Sequence, residues 1–284
     1  MLELTGVASL LRGVSLVYWL LALGALALAI RLPKKRTWKG IATALVLVLF
    51  GYLPVTNFLE AKHREDFAKE AWTRFRQLCE AKSEEKIYKT FTGVKSVLVT
   101  KPLPPATEKD LYDQFWYGDP YSNTSTSRRE MAHALYLLDK TLVAPKTDGY
   151  GFDFFELLER AKKPEYVRVF IAKEAPFWRK SEPFETPESR FGLSWEDISD
   201  QSDRKYWIAA SRLSIVDLTN NSVVAERIGF FIEAGFGSTA GQRRPWQSSH
   251  GEKTTCPPVS TSGFSDNFFI FRVLQPPQEN RDGK

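Results

Sequence analysis

Residues 13–30, GVSLVYWLLALGALALAI, and residues 40–59, GIATALVLVLFGYLPVTNFL, decide the architecture of this chain. The first run is 18 residues long and the second 20, and neither carries a charge. At ~1.5 Å per residue, each reaches or nearly reaches across a hydrocarbon core of ~30 Å. Two such runs in tandem are rare as buried helices of a soluble domain. A cleaved signal peptide would place its basic residues before the apolar run. Here the cluster RLPKKR follows it, as a stop-transfer signal does. The expected anchor is therefore a pair of transmembrane helices over about 13–30 and 40–59.

The short loop between them, residues 31–39, sets the expected orientation. It holds Arg31, Lys34, Lys35, Arg36 and Lys39 and no acid. Short loops rich in Lys and Arg stay on the cytoplasmic side. Tyr18, Trp19 and Tyr52 would then lie near the outer interface and Trp38 near the inner one, as an aromatic belt requires. Both the N-terminus and everything after Leu59 are expected outside, on the periplasmic face of a bacterial inner membrane.

Charge supports that division. The chain has a formal net charge of +5 and a calculated pI near 9.0. Six of the 39 basic residues and one of the 34 acidic residues lie in 1–59, which leaves 33 of each in 60–284. The excess positive charge is thus a topology signal, and a nucleic-acid role is not expected. The two cysteines, Cys79 and Cys256, could pair in an oxidising compartment and so tie the C-terminal segment back to the stalk.

Beyond the anchor, residues 60–86 read as a helical stalk. Phe67, Ala71, Phe75 and Cys79 recur every four residues, with Ala68, Trp72 and Leu78 widening a docking stripe. An extracytoplasmic α+β domain is expected over 87–274, with a small antiparallel sheet and helices. Strands are expected in 87–100 and 166–173. Between Tyr206 and Glu233, two strands of about a dozen residues each flank the turn Thr219-Asn220-Asn221-Ser222. Thr107 and Asp110 can open a short helix, Ser127 another to about Lys140, and Ser265 or Asp266 a last one through Leu274. The three prolines of 175–190 suggest a long loop. Residues 275–284 read as a disordered tail.

The chemistry-bearing motifs are weak. Residues 235–240, GFGSTA, match the letters of a dinucleotide fingerprint, but that fingerprint works only where it opens a helix within a parallel βαβ unit. His63, His133 and His250 show no metal-ligand spacing. His250 neighbours Ser248 and Ser249, but adjacency in sequence does not make a triad. The acid pairs Asp153/Glu156 and Glu185/Glu188 are ordinary surface chemistry. No catalytic, cofactor-binding or metal-binding residues are expected, and no cofactor. Arg243, Arg244 and Trp246 form a basic-aromatic knot, and Arg and Trp are frequent interface anchors. They are the interaction candidates.

These observations point to a binding or interaction protein anchored in the inner membrane, of the build seen in immunity proteins or accessory subunits of envelope complexes. Its expected partners are the lipid bilayer and an envelope protein. An enzyme acting on lipid or cell-wall material, or a structural assembly subunit, are the alternatives. Self-association is a further expectation, because Gly24, with Ala22, Ala25 and Ala27, could allow close packing of the first span.

Overall fold

The computed structural model describes residues 3–101, 106–116, 118–121, 151–158, 166–171, 179–247, 251–258 and 265–277. The chain divides into two compact units, Met1–Ala68 and Lys69–Lys284.

The first unit is built from helix α1 (Glu3–Arg31) and the N-terminal part of helix α2 (Arg36–Lys82). A turn over residues 32–35 reverses the chain between them. On α1 the shielded positions are Tyr18, Ala22, Ala25, Leu26 and Ala29, and on α2 they include Ala42, Thr43, Val46, Phe50, Gly51 and Pro54. Both sets follow the spacing of a single helical face. The remaining apolar side chains, among them Leu20, Leu23, Leu45, Val48 and Leu53, point outward. Gly24 and Ala27 lie on that exposed side, not in the shielded stripe. Among the described residues, α2 is the helix long and apolar enough to cross a membrane, while α1 contributes a shorter apolar stretch, Ser15–Arg31.

Pro54 sits inside α2. It has no N–H, so the carbonyl four residues earlier, that of Phe50, loses its helical partner. The Tyr18 hydroxyl of α1 donates to this carbonyl, and the Tyr18 and Phe50 rings lie 5.7 Å apart. Thr56 returns its hydroxyl to the carbonyls of Tyr52 and Leu53, both at 3.0 Å. The backbone groups around the proline are thus supplied with donors from within the hairpin.

The second unit is α+β and is organised by a sheet. The described residues place nine strands in it: β1 (Glu84–Ile87), β3 (Ser96–Lys101), β4 (Phe154–Leu158), β5 (Tyr166–Ile171), β6 (Arg179–Phe184), β7 (Phe191–Asp197), β8 (Ile208–Asp217), β9 (Ser222–Ile232) and β10 (Thr255–Cys256). Their order is β1-β9-β8-β7-β3-β4-β5-β6, with β10 also on β9. The expected small antiparallel sheet is therefore larger and mixed, because β3 pairs in parallel with both β4 and β7. A separate parallel pair joins β2 (Phe91–Thr92) to β11 (Leu274–Gln275).

The hairpin expected over 206–233 is β8 and β9, with Asn221 in the left-handed conformation its turn requires (φ 57). Asp217 closes that turn. It accepts from the Thr219 hydroxyl at 2.7 Å and pairs with Arg190 at 2.6 Å. The Arg190 guanidinium, helped by Thr219, holds the Asp217 carboxyl well below the usual carboxylate range.

Alternation along the strands gives the sheet two faces. One carries Ile208, Ala210, Ile228, Phe230 and Ile232, against which Ala71, Phe75 and Leu78 of α2 pack. This is the stripe read from the sequence. The other face buries Val97, Phe155, Val169, Leu193 and Ile215 beneath Phe269, Ile270 and Val273 of helix α4 (Ser265–Val273). The short helix α3 (Gln201–Arg204) precedes β8, and Asp200 caps it through the Ser202 N–H at 2.6 Å.

Two segments differ from the sequence reading. Helix α2 stops at Lys82, and Glu84–Ile87, read as stalk, pair with the edge of β9. Arg179–Phe184, read as loop, form an edge strand on β5, a position that tolerates Pro183. Phe154–Leu158 and Phe191–Asp197 supply the neighbours of β3. The helix expected over 127–140 and residues 278–284 of the expected tail lie outside the described residues, while Gln275, also read as tail, pairs with Thr92.

Cys79 and Cys256 are disulfide-bonded, with Cα atoms 5.8 Å apart. The bond follows from the sheet, since β1 and β10 lie one after the other along the same edge of β9.

Tyr18→Phe should destabilise the hairpin of the full chain in detergent micelles by about 0.6–1.7 kcal/mol, the range for interhelical hydrogen bonds in apolar surroundings. In a Pro54→Ala background, where residue 54 regains its N–H, the loss should be much smaller. Equal losses in an SDS unfolding titration would rule out the coupling. A second outcome concerns pH. The folded Asp217 carboxyl titrates below its unfolded value, so its stabilisation is complete above a pH of about 4 and is lost as the pH falls toward the folded value. Urea midpoints measured from pH 6 to 2 should fall less for Asp217→Asn than for the wild type.

Candidate functional site

Two segments distant in sequence form the walls of a polar cleft. The first is the turn over residues 107–113. The Asp110 N–H donates to the Thr107 hydroxyl at 3.2 Å, and the Thr107 N–H donates to the Asp110 carboxylate at 2.7 Å. This is a capping box with Asp in the usual place of Glu or Gln. The Thr107–Asp110 bonds form as the sequence reading expects, but the short helix expected there is only a single 3-10 turn, Asp110–Tyr112, preceded by Lys109. Leu111 is wholly buried, and Asp113 turns to extended backbone, where its carbonyl accepts from the Trp246 indole N–H at 2.6 Å.

The second wall follows β9. Glu233 is fully buried. Its carboxylate accepts the N–H groups of Gly235 at 2.9 Å and Gly237 at 2.7 Å and pairs with Arg243. A Cβ at Gly235 would fall 1.6 Å from the Arg243 guanidinium, so a larger residue there would make the Arg243 side chain shift. Gly237 has φ +78 and lies against the Trp207 ring. The loop then reaches two 3-10 turns, Ala240–Gln242 and Pro245–Gln247.

Trp246 belongs to the floor beneath these walls. It is wholly buried, 5.0 Å from the Trp207 ring and 6.2 Å from Phe231. The Arg204 guanidinium lies 5.0 Å over its ring and is held by Asp197 at 2.9 Å and the Gly118 carbonyl at 3.0 Å.

Above this floor lies a cleft of about 510 Å³, lined by Glu108, Tyr112, Gln242, Arg243, Arg244 and Gln247. Its volume falls within the ~300–1,000 Å³ typical of ligand sites. Arg244 bridges the walls. Its Nε lies 2.8 Å from the Glu108 carboxylate, and its Nη1 donates to the Gln247 amide oxygen at 3.1 Å. Two guanidinium groups, two amides and a phenol give the cleft more donors than acceptors.

The three interaction candidates thus occupy three different positions. Arg244 is at the rim, Arg243 lines the cleft while paired with Glu233, and Trp246 is in the core beneath. Glu108, Tyr112, Gln242 and Gln247 were not legible as site residues. The signal pointing to the first two was the Thr107–Asp110 cap, which fixes where the turn carrying them begins. The glycine-rich stretch after β9 opens no α-helix, and its N–H groups at 235 and 237 serve the chain's own Glu233 carboxylate. Of the acid pairs, Glu156 is fully buried. It accepts from the backbone N–H groups of Glu188 at 3.1 Å and Ser189 at 2.9 Å, and from Arg168 at 3.2 Å. Arg168 also pairs with Glu188 at 2.9 Å, and its guanidinium sits between the Phe154 and Phe184 rings. His63 is exposed on α2, and His133 and His250 lie outside the described residues.

No family model matches the chain, and no curated protein or solved structure matches it at a significant level.

Trp246→Ala should lower unfolding stability by about 3–5 kcal/mol, as removal of a buried aromatic does. Arg244→Ala should cost no more than about 1 kcal/mol, as a half-exposed ion pair does. Urea unfolding of both variants separates floor from rim. Comparable losses would make Arg244 part of the frame.

Proposed function

We propose that this chain is a membrane-anchored binding protein. In this reading both helices of the N-terminal hairpin lie in a bacterial inner membrane, and the Lys69–Lys284 unit stands on the periplasmic side and captures an envelope protein. The apolar exterior of the hairpin supports the anchor, because helices apolar all round need either a protein core or lipid to cover them. The Tyr18 bond to Phe50 supports placing both helices in the bilayer, where no water could serve that carbonyl. The basic turn supports the orientation. The Cys79–Cys256 bond supports an oxidising compartment for the second unit.

The observation that carries the binding part is the cleft itself. Both of its walls are fixed from below by Leu111, Trp246 and the Glu233–Arg243 pair, so a partner would meet a surface already in shape. Its rim carries Arg and Tyr, the residue types that recur at interface hot spots. A protein partner fits this open, polar surface better than a small apolar ligand would.

The test is cross-linking in intact spheroplasts with a reagent that cannot cross the membrane. One protein should be captured by the wild type and lost in Arg244→Ala, with the chain's level and membrane fraction unchanged. A chain that the reagent never labels would overturn the orientation. A labelled chain with no protein captured, or one captured equally by Arg244→Ala, would overturn the binding role of the cleft.

A further inference from the structure

We infer that the cleft recognises the main chain of an uncharged, extended segment of its partner, and that Gln242 is the residue that reads it. The inference rests on reading the cleft as a binding site and adds the chemistry of what it holds.

The argument starts from the backbone of the second wall. Gly241 and Gln242 are both left-handed, with φ 68 and 61. Glycine adopts this region freely, and among other residues Asn, Asp and His are the ones enriched there. Glutamine is not one of them, and its Cβ crowds the backbone in this conformation. Strain of this kind persists where surrounding contacts hold it or where function uses it. Gln242 has little of the first. Its side chain is exposed, and among the described residues it makes no hydrogen bond or ion pair. Glycine would suit the backbone here better, as it does at 241. The carboxamide is thus kept at the cleft against local preference, and nothing it does within the chain accounts for it.

The neighbouring groups complete the pattern. The Tyr112 hydroxyl, on the facing wall, makes no hydrogen bond among the described residues. Gln247 accepts from Arg244 through its amide oxygen at 3.1 Å, which fixes the side chain and leaves its NH2 group open. Both arginines already hold a carboxylate, Arg243 that of Glu233 and Arg244 that of Glu108. The open chemistry of the cleft is therefore neutral: two carboxamides and a phenol. A carboxamide carries an acceptor oxygen and two N–H donors, so it can meet both the C=O and the N–H of a peptide main chain. An extended segment presents those groups in regular succession, and main-chain bonds are a general source of affinity for such segments. Arg244 enters as the brace of Gln247, and its loss would release that amide.

The test uses the full chain in micelles of an uncharged, deuterated detergent. Saturation transfer by NMR, which detects weak binding, is read from the protein to added peptide. Capped hexaglycine is the probe. Capped hexasarcosine, whose backbone nitrogens carry methyl groups and no N–H, is the control. Transfer to hexaglycine should exceed transfer to hexasarcosine. Gln242→Gly should weaken hexaglycine binding about three- to ten-fold, the worth of one or two neutral hydrogen bonds. The same variant should raise the urea midpoint, because glycine relieves the left-handed strain. Equal transfer to both peptides, transfer to neither, or transfer unchanged in Gln242→Gly would overturn the proposal. So would a lowered urea midpoint, which would show the side chain serving the fold. The two readings fail separately. If a partner is captured in spheroplasts in an Arg244-dependent way while Gln242→Gly captures it equally, the cleft remains a binding site and main-chain reading by Gln242 falls.

Discussion

The outer edge of strand β9 must be covered, and two short strands from distant parts of the chain cover it. β1 pairs with residues 225–228 and β10 with residues 230–231. An open edge of this length in a hydrophobic sheet would expose a row of unpaired N–H and C=O groups. The inner edge of β9 is taken by β8 along its whole length. Packing follows from that arrangement. Once β1 is fixed, the preceding helix must turn back over the face that carries Phe230 and Ile232, and Cys79 arrives beside Cys256. The disulfide closes a separation of 177 residues, worth about 5 kcal/mol in the chain-entropy account. It joins the covering strand β10 to the last turns of α2, just ahead of β1.

The same sheet buries charges, and it does so only where each has a partner. Arg227 on β9 is almost inaccessible. It pairs with Glu85 at 3.0 Å and with Asp266 at the start of α4. Asp266 in turn accepts from the Trp195 indole at 3.0 Å. This group helps fix how α4 sits over the sheet, because a shift by one turn would take Asp266 from the buried Arg227 and leave it Glu85 alone. Glu156 and Glu233 act likewise at their own places, each anchoring a passing loop through backbone N–H groups. Such pairs contribute less to stability than hydrocarbon of the same volume could, but they specify one arrangement. A catalytic reading of the buried acids is weaker for this reason, since each already has a structural duty.

What the sequence made legible follows the physics of local signals. The apolar runs, the α2 docking stripe, the turn at Thr107, the helix start at Ser265–Asp266 and the 206–233 hairpin are all signalled by residues close to one another in the chain. Other strands of the sheet were not legible. Residues 154–158, FFELL, precede ERA and give no alternation, because β4 lies between two strands and is buried on both sides at Glu156 and Leu157. Residues 179–184 are polar and contain a proline, and only pairing with β5 makes them a strand. Trp246 shows the same limit at the site. Beside two arginines and between loop residues it reads as a surface anchor. Its burial depends on Trp207, Phe231 and the Asp113 carbonyl, none of which is near it in sequence.

The cleft results from these structural commitments. Trp246 has to reach a hydrogen-bond acceptor once buried, and the acceptor it finds is the carbonyl of Asp113, on the turn that also carries Glu108 and Tyr112. That one bond sets the distance between the walls. Arg243 has to neutralise Glu233, which pulls the chain of the second wall inward and leaves the next residue, Arg244, projecting over the gap. Two adjacent arginines thus acquire opposite roles, one from the burial of its partner and the other from its partner's exposure. The polar residues at the rim need no strain and no unpaired interior charge to be held there. Rigidity comes from below, from the buried Trp246 and the Glu233–Arg243 pair.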